Sequence, residues 1–163
     1  LLYVQILRRE HGRLRNVIFI KVKMEKVIIK VKKVHPDAKL PAYAKEGDGA
    51  MDVVAVRREI TDKFIEYGTG LAFEIPKGYV CLMFPRSSVT KKDLMLKNSV
   101  GILDEGYRGE MIFRFQRFGE EIHDIGDKIG QIMVIPRPNI MIEEVQKLSE
   151  SSRGEGGFGS TGR

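Results

Sequence analysis

What most restricts the fold of this chain is how often it interrupts itself. From Glu25 onward, short apolar and β-branched runs are each closed by Gly, Pro, Asn or Asp. Glu25–Val34 is such a run, and its interspersed lysines suit an edge strand, where charge discourages pairing with other chains. Leu40–Val56 passes from a loop, with Gly47 and Gly49 at its turn, into a strand. Glu59–Gly70 reads as a polar, turn-rich connection. Leu71–Ile75 and Tyr79–Phe84 follow as strands, and Pro76-Lys-Gly78 between them reads as a hairpin. Lys128–Pro136 is a strand that is apolar on both faces except at Gln131, and Ile140–Val145 is a last short strand. About eight to ten short strands and one short helix are the signature of an all-β sandwich or barrel.

At 163 residues the chain fits one domain with a real core. No apolar run approaches the ~18 residues that span a bilayer as a helix, so no membrane partner is expected. The single cysteine, Cys81, lies inside an apolar run and reads as a buried thiol in a reducing compartment. The net charge of +6 resembles a nucleic-acid signal until it is located. Residues 1–23 carry six basic side chains and one acid, so the rest of the chain has a surplus of only +1. Nucleic acid is therefore not an expected partner. Residues 1–23 are read as a basic extension ahead of the functional start, in which Val17–Ile20 can form an extra strand. Residues 24–150 are read as the β domain, and 151–163 as a flexible Gly-rich arm.

Five stretches carry chemistry. In Asn98–Glu110, an apolar run enters Asp104-Glu-Gly106, a tight turn in which Gly106 can take a positive φ. The return arm alternates, with Met111, Phe113 and Phe115 on one face and Arg114 and Gln116 on the other. A hairpin of this kind sets a carboxylate, Asp104, and a phenol, Tyr107, on one rigid tip. In Pro85-Arg-Ser-Ser88, Ser87 or Ser88 can cap a short helix whose amides, with Arg86, favour an anion. Asp52 enters an apolar strand, so it either accepts backbone amides or sits near a metal. Gln131 is either a satisfied core amide or one that reaches a pocket. The tail Arg153–Arg163 combines hydroxyls, free amides and one aromatic, as a loop wrapping a polyphosphate and stacking on a base requires. His11, His35 and His123 have no second ligand at metal spacing.

Together these stretches resemble the trimeric deoxyuridine triphosphatase (dUTP pyrophosphatase) family. Its five motifs have counterparts in order: Gly49-Ala-Met-Asp52, Pro85-Arg-Ser-Ser88, Asn98–Gly109, Gly126-Asp-Lys-Ile-Gly-Gln131 and Arg153–Gly162. The chain departs from the commonest pattern at Gly49-Ala-Met51, Ser88, Leu103 and Gly130. The resemblance implies a jelly-roll-like β fold, a homotrimer with shared sites, and hydrolysis of dUTP to dUMP and pyrophosphate by Mg²⁺-assisted water attack on the α-phosphate. Such an enzyme limits uracil incorporation into DNA and supplies dUMP; its expected place is cytoplasmic, or nuclear or organellar if residues 1–23 are a targeting segment.

Carried over by position, Asp104 would be the general base and Tyr107 the wall under the deoxyribose. Asn98 and the backbone of Gly101, Ile102, Leu103 and Asp104 would read uracil. Arg86, Ser87, Ser88 and Gln131 would hold phosphate, and Asp52 would meet the metal through water, Mg²⁺ being held mainly by the phosphates. Arg153, Gly159, Ser160 and Thr161 would close over the terminal phosphate while Phe158 stacks on the base. Two rivals remain at this stage. A dCTP deaminase shares the fold but lacks the Gly-rich closing tail. A non-catalytic trimeric β module would release no pyrophosphate and be indifferent to Asp104→Asn.

Overall fold

The computed structural model describes residues 2–10, 13–22 and 26–157. Strands β1 (Leu2–Glu10) and β2 (Arg13–Val22) pair antiparallel with each other, and Val17–Ile20 lie in β2 as anticipated. Nine further strands form two sheets in which every pairing is antiparallel. One sheet holds β3 (Lys30–Lys33), β5 (Arg57–Ile60), β6 (Ile65–Glu74), β8 (Leu94–Leu96) and β10 (Glu110–Arg117). The other holds β4 (Met51–Val54), β7 (Tyr79–Phe84), β9 (Gly101–Leu103) and β11 (Lys128–Pro136), in the order β4-β11-β7-β9.

Period-2 alternation builds the core between the sheets. Met111, Phe113 and Phe115 of β10 are fully buried, as are Ile65, Tyr67 and Leu71 of β6 and Ile129 and Ile132 of β11. Burial contributes about 1.5–3 kcal/mol for each such side chain. Tyr67 meets Phe115 edge to face, with centroids 5.8 Å apart. Two of the polar groups taken inside are bonded: the Tyr67 hydroxyl donates to the His123 carbonyl (2.9 Å) and Thr69 Oγ1 to the Met111 carbonyl (2.7 Å).

Several expectations are corrected. β6 begins at Ile65, so most of the stretch read as a polar connection is strand: β5 and the first half of β6. Its glycines looked like turn punctuation but lie within paired backbone. Pro76–Gly78 does not close a hairpin, because β6 and β7 belong to different sheets. The same holds for the Asn98–Arg117 stretch: β9 pairs with β7, whereas β10 pairs with β6 and β8. Gly106 does not take a positive φ; the turn closes instead by the Tyr107 amide donating to the Asp104 carbonyl at 3.1 Å. Leu94–Leu96 adds a strand that was not anticipated. Ile140–Val145 forms none in the single chain, where Ile140, Met141 and Ile142 are at least 73% exposed.

Candidate active site

The chain changes sheets between β9 and β10, and the sheets diverge there. The gap is a cavity of about 200 Å³ lined by Met83, Asn98, Gly101, Ile102, Leu103, Asp104, Tyr107, Glu110, Met111 and Ile112. Six anticipated site residues thus share one depression: Asn98, Gly101, Ile102, Leu103, Asp104 and Tyr107. Asn98 reaches it through a bend at Ser99, whose φ of 59° is left-handed. A non-glycine residue holds that conformation at a cost of about 1–2 kcal/mol. Sequence reasoning missed Ser99, since serine carries no signal for a positive φ.

Asp104 is exposed, and its side chain bonds nothing among the described residues. Tyr107 folds back on its own turn: its hydroxyl donates to the Glu110 carbonyl at 3.2 Å. A Cβ on Gly109 would lie 2.3 Å from that hydroxyl, so only glycine lets the ring settle. Glu105, also missed, pins the turn to the neighbouring corner by accepting the Gly78 amide at 3.0 Å.

A second group of anticipated residues gathers at the far end of β7. Register sets Asp52, Gln131 and Phe84 in one row across β4, β11 and β7. Arg86 follows two residues later, where Pro85 ends the strand. Arg86 Nε donates to Asp52 Oδ1 at 2.7 Å, and the Lys128 ammonium lies 2.8 Å from Oδ2. The lysine approaches too obliquely for a hydrogen bond, so that buried oxygen is ion-paired without an aligned donor. Burial alone would raise the Asp52 pKa; Lys128 and Arg86 outweigh it and hold the carboxyl below its usual range. The Gln131 amide donates to the Pro85 carbonyl at 3.1 Å and so fixes the chain just before Arg86. Lys128 was not anticipated, because only strand register brings it to Asp52.

Ser87 opens a 3₁₀ turn, Ser87–Lys91, with Arg86 at its N-cap and no side-chain cap, so neither serine caps a helix as expected. Ser88 Oγ accepts from Arg86 at 3.4 Å. Arg86 and Ser88 line a depression of about 380 Å³ with Lys92, His123, Gly126, Asp127 and Lys128. His123 is a buried histidine whose Nε2 has no partner among the described residues and whose Nδ1 lies 3.8 Å from Asp127. Burial lowers its pKa, against the opposing pull of Asp127.

The two groups do not meet in one chain. Leu103 pairs with Cys81, which sets Asp104 level with Val80, six residues before Arg86. At about 3.3 Å per residue that is ~20 Å along β7. Arg153 belongs to neither group; it donates to the Gly156 carbonyl at 3.0 Å within a turn of its own segment. Phe158, Gly159, Ser160 and Thr161 lie outside the described residues. Among the described residues no three His, Cys, Asp or Glu side chains gather where they could hold a metal ion.

The acid and the phenol thus share a cleft of an all-β fold, and the arginine and Ser88 gather at the far end of β7. The family described as dUTPase matches residues 36–162. The deoxyuridine 5′-triphosphate nucleotidohydrolase of Clostridium tetani (strain Massachusetts / E88) is 38% identical over 149 residues, covering 86% of this chain and 100% of the relative. The protein of that name from Escherichia phage T5 is 35% identical over 147 residues, covering 83% and 99%. Among solved structures, the Staphylococcus bacteriophage 80alpha dUTPase with dUPNHPP matches with a TM-score of 0.69 at 25% identity, covering 83% of this chain and 99% of that one. The dUTPase from phage phi11 of S. aureus, whose structure concerns the coordination of a structural Mg(II) ion, matches with a TM-score of 0.61 at 19% identity, covering 74% and 97%. The chain belongs to the dUTPase family, and is a hydrolase of jelly-roll-like β fold.

Proposed function

We propose that this chain hydrolyses dUTP to dUMP and pyrophosphate in a homotrimer whose sites are shared between subunits, in a reducing, cytoplasmic compartment, which the buried free thiol of Cys81 suits. Such an activity limits uracil incorporation into DNA and supplies dUMP. What carries the reading is the register that sets Asp104 level with Val80, six residues before Arg86, a separation of ~20 Å for extended chain. Neither group alone makes a triphosphate site, whereas a second copy can bring its Arg86 cluster to the Asp104 cleft. The extended segment with Ile140, Met141 and Ile142 exposed supports assembly, since neighbouring copies would cover it.

In this reading Asp104 takes the proton of the attacking water, a role suited to an exposed carboxylate that no cation neutralises among the described residues. The Tyr107 ring is the wall beneath the deoxyribose, where a 2′-hydroxyl has no room. Asn98 and the backbone of Gly101–Asp104 read the base, and a site that hydrogen-bonds its substrate can reject a wrong pattern by roughly 10⁴–10⁵. Arg86, Ser87 and Ser88 hold the phosphates, with Gln131 fixing the backbone that presents them. Residues 151–163 close over the site through Arg153 and Phe158–Thr161, excluding water.

Mg²⁺ is the cofactor the family resemblance implies. The residues present do not fit an ion held by the protein, because Asp52, the carboxylate nearest Arg86, has both oxygens engaged by cations. Magnesium typically stays on substrate phosphates and water, and there it neutralises charge. A contact with Asp52 through water requires its buried Oδ2 to become accessible.

The test is pyrophosphate release in Mg²⁺ from dUTP, UTP, dTTP and dCTP. Fast turnover of dUTP alone is expected, and equal rates on all four would refute the reading. Deleting residues 151–163 is expected to slow dUTP turnover by about 10–100-fold while leaving the melting temperature in place. A large fall in melting temperature would instead make the arm a structural strap.

A further inference from the structure

Behind Tyr107 the two-stranded register of β6 and β10 slips. Glu110 pairs with Ala72 and Ile112 with Gly68, so two steps on β10 face four on β6. The extra residues form a bulge at Thr69–Gly70, with Gly70 at a left-handed φ of 67°. Its amide points at no strand acceptor and donates instead to Glu110 Oε1 at 2.8 Å. The other oxygen of that carboxylate accepts from Arg57 Nη2 at 3.0 Å. Arg57 belongs to β5, on the far side of β6, and reaches Glu110 by crossing over Gly68. A Cβ there would lie 2.4 Å from the Arg57 Nε and 2.7 Å from Glu110 Oε1. Arg57 is braced in turn by Glu66 (2.9 Å), which also accepts from Arg114 Nε (2.9 Å).

Glu110 is thus tied at both ends. Its carboxylate is fixed by the bulge amide and a guanidinium, and its carbonyl receives the Tyr107 hydroxyl. We propose that Glu110, clamped by Arg57 and the Gly70 amide, is a positioning residue for sugar selection: it sets where the Tyr107 ring stands, and thereby how sharply the site separates deoxyribose from ribose triphosphates. The proposal rests on the dUTPase reading of the Asp104–Tyr107 cleft. Bulges beside active sites commonly re-aim a side chain, and here the re-aimed group is a main-chain acceptor for the residue that walls the sugar. A loosened clamp changes how the sugar seats against the Tyr107 ring and leaves the Asp104 carboxylate in place, so it acts through substrate fit.

Glu110→Ala and Glu110→Gln should be assayed against dUTP and UTP, with melting temperatures alongside. Glu110→Ala is expected to raise the KM for dUTP about tenfold, with little change in kcat, and to lower the dUTP-to-UTP ratio of kcat/KM by a similar factor. Glu110→Gln keeps an acceptor for the Gly70 amide and should recover most of both. If Glu110→Ala does not fold, Glu110→Gln and Arg57→Lys carry the test, each with a smaller fall in the ratio. A lower melting temperature with an unchanged ratio overturns the proposal, because a merely structural residue would do that. The wild type's own preference for dUTP tests the functional reading separately. Should that preference be missing, Tyr107 ring resonances that do not shift in Glu110→Ala would overturn the clamp itself.

Discussion

Two aspartates mark the two groups of candidate residues, and their surroundings are opposite in kind. Asp104 sits on an exposed turn between diverging sheets, with no cation against its carboxylate among the described residues. Asp52 is a strand residue held between Arg86 and Lys128. The first is open to solvent; the second spends its charge keeping two cations in place. Their surroundings differ in the same way. The Asp104 cleft is shaped by backbone contacts and close packing, such as Tyr107 on Gly109 and Glu105 on the Gly78 amide. The Asp52 end is shaped by ion pairs at the ends of strands.

The comparison breaks most visibly at Asp104. Asp104→Asn is expected to lower pyrophosphate release by about 10²–10⁴-fold with an unchanged melting temperature, since the exposed side chain supports nothing. A variant of near-normal rate would move the base elsewhere. Asp52→Asn should do the reverse. Thermal or denaturant unfolding should show a loss of about 1–3 kcal/mol, kept low by the exposure of Lys128, with a smaller effect on rate. Unchanged stability would mean that the pairing contributes nothing.

His123, in the wall of the Asp52-side depression, sharpens the comparison by a smaller effect. It faces Asp127, Lys92 and Arg86, and burial lowers its pKa. Below the ordinary histidine value of about 6.5, the unfolded chain therefore binds a proton that the folded chain resists, and stability declines as pH falls through that value. His123→Leu is expected to flatten denaturant-measured stability between about pH 6.5 and 5. An unaltered slope would show that His123 does not titrate on unfolding.

The class of fold was legible because the signals for it are local. Alternation at Met111–Phe115 and the apolar runs at Tyr79–Phe84 and Lys128–Pro136 are set by the neighbours of each residue. Pairing was not legible. Pro76–Gly78 and Asp104–Gly106 look like hairpin turns, but each carries the chain to the opposite sheet, and a corner and a hairpin use the same turn residues. Glycine misled for a related reason: Gly68 and Gly70 in the middle of β6 serve a crossing guanidinium and a bulge, which only the third dimension supplies. Within the candidate cleft, Asp104 and Tyr107 were singled out from the turn they share and Asn98 from the motif resemblance, and all three line one depression. Lys128, Glu105 and the Arg57–Glu110 pair were missed because their partners lie at least 27 positions away in the chain.

Strand β6 is buried from Ile65 to Phe73 and is paired along both edges, with β3 and β5 on one side and β10 on the other. None of its backbone can be released without dismantling the sheet around it, so its amides should exchange with solvent only when the whole molecule comes apart. The Asp104 turn and the chain after Pro85 hang from shorter, outlying pieces. Breathing at either half of the site and global unfolding are therefore separate events with separate clocks, and the protein can open its doors many times for each time it loses its frame.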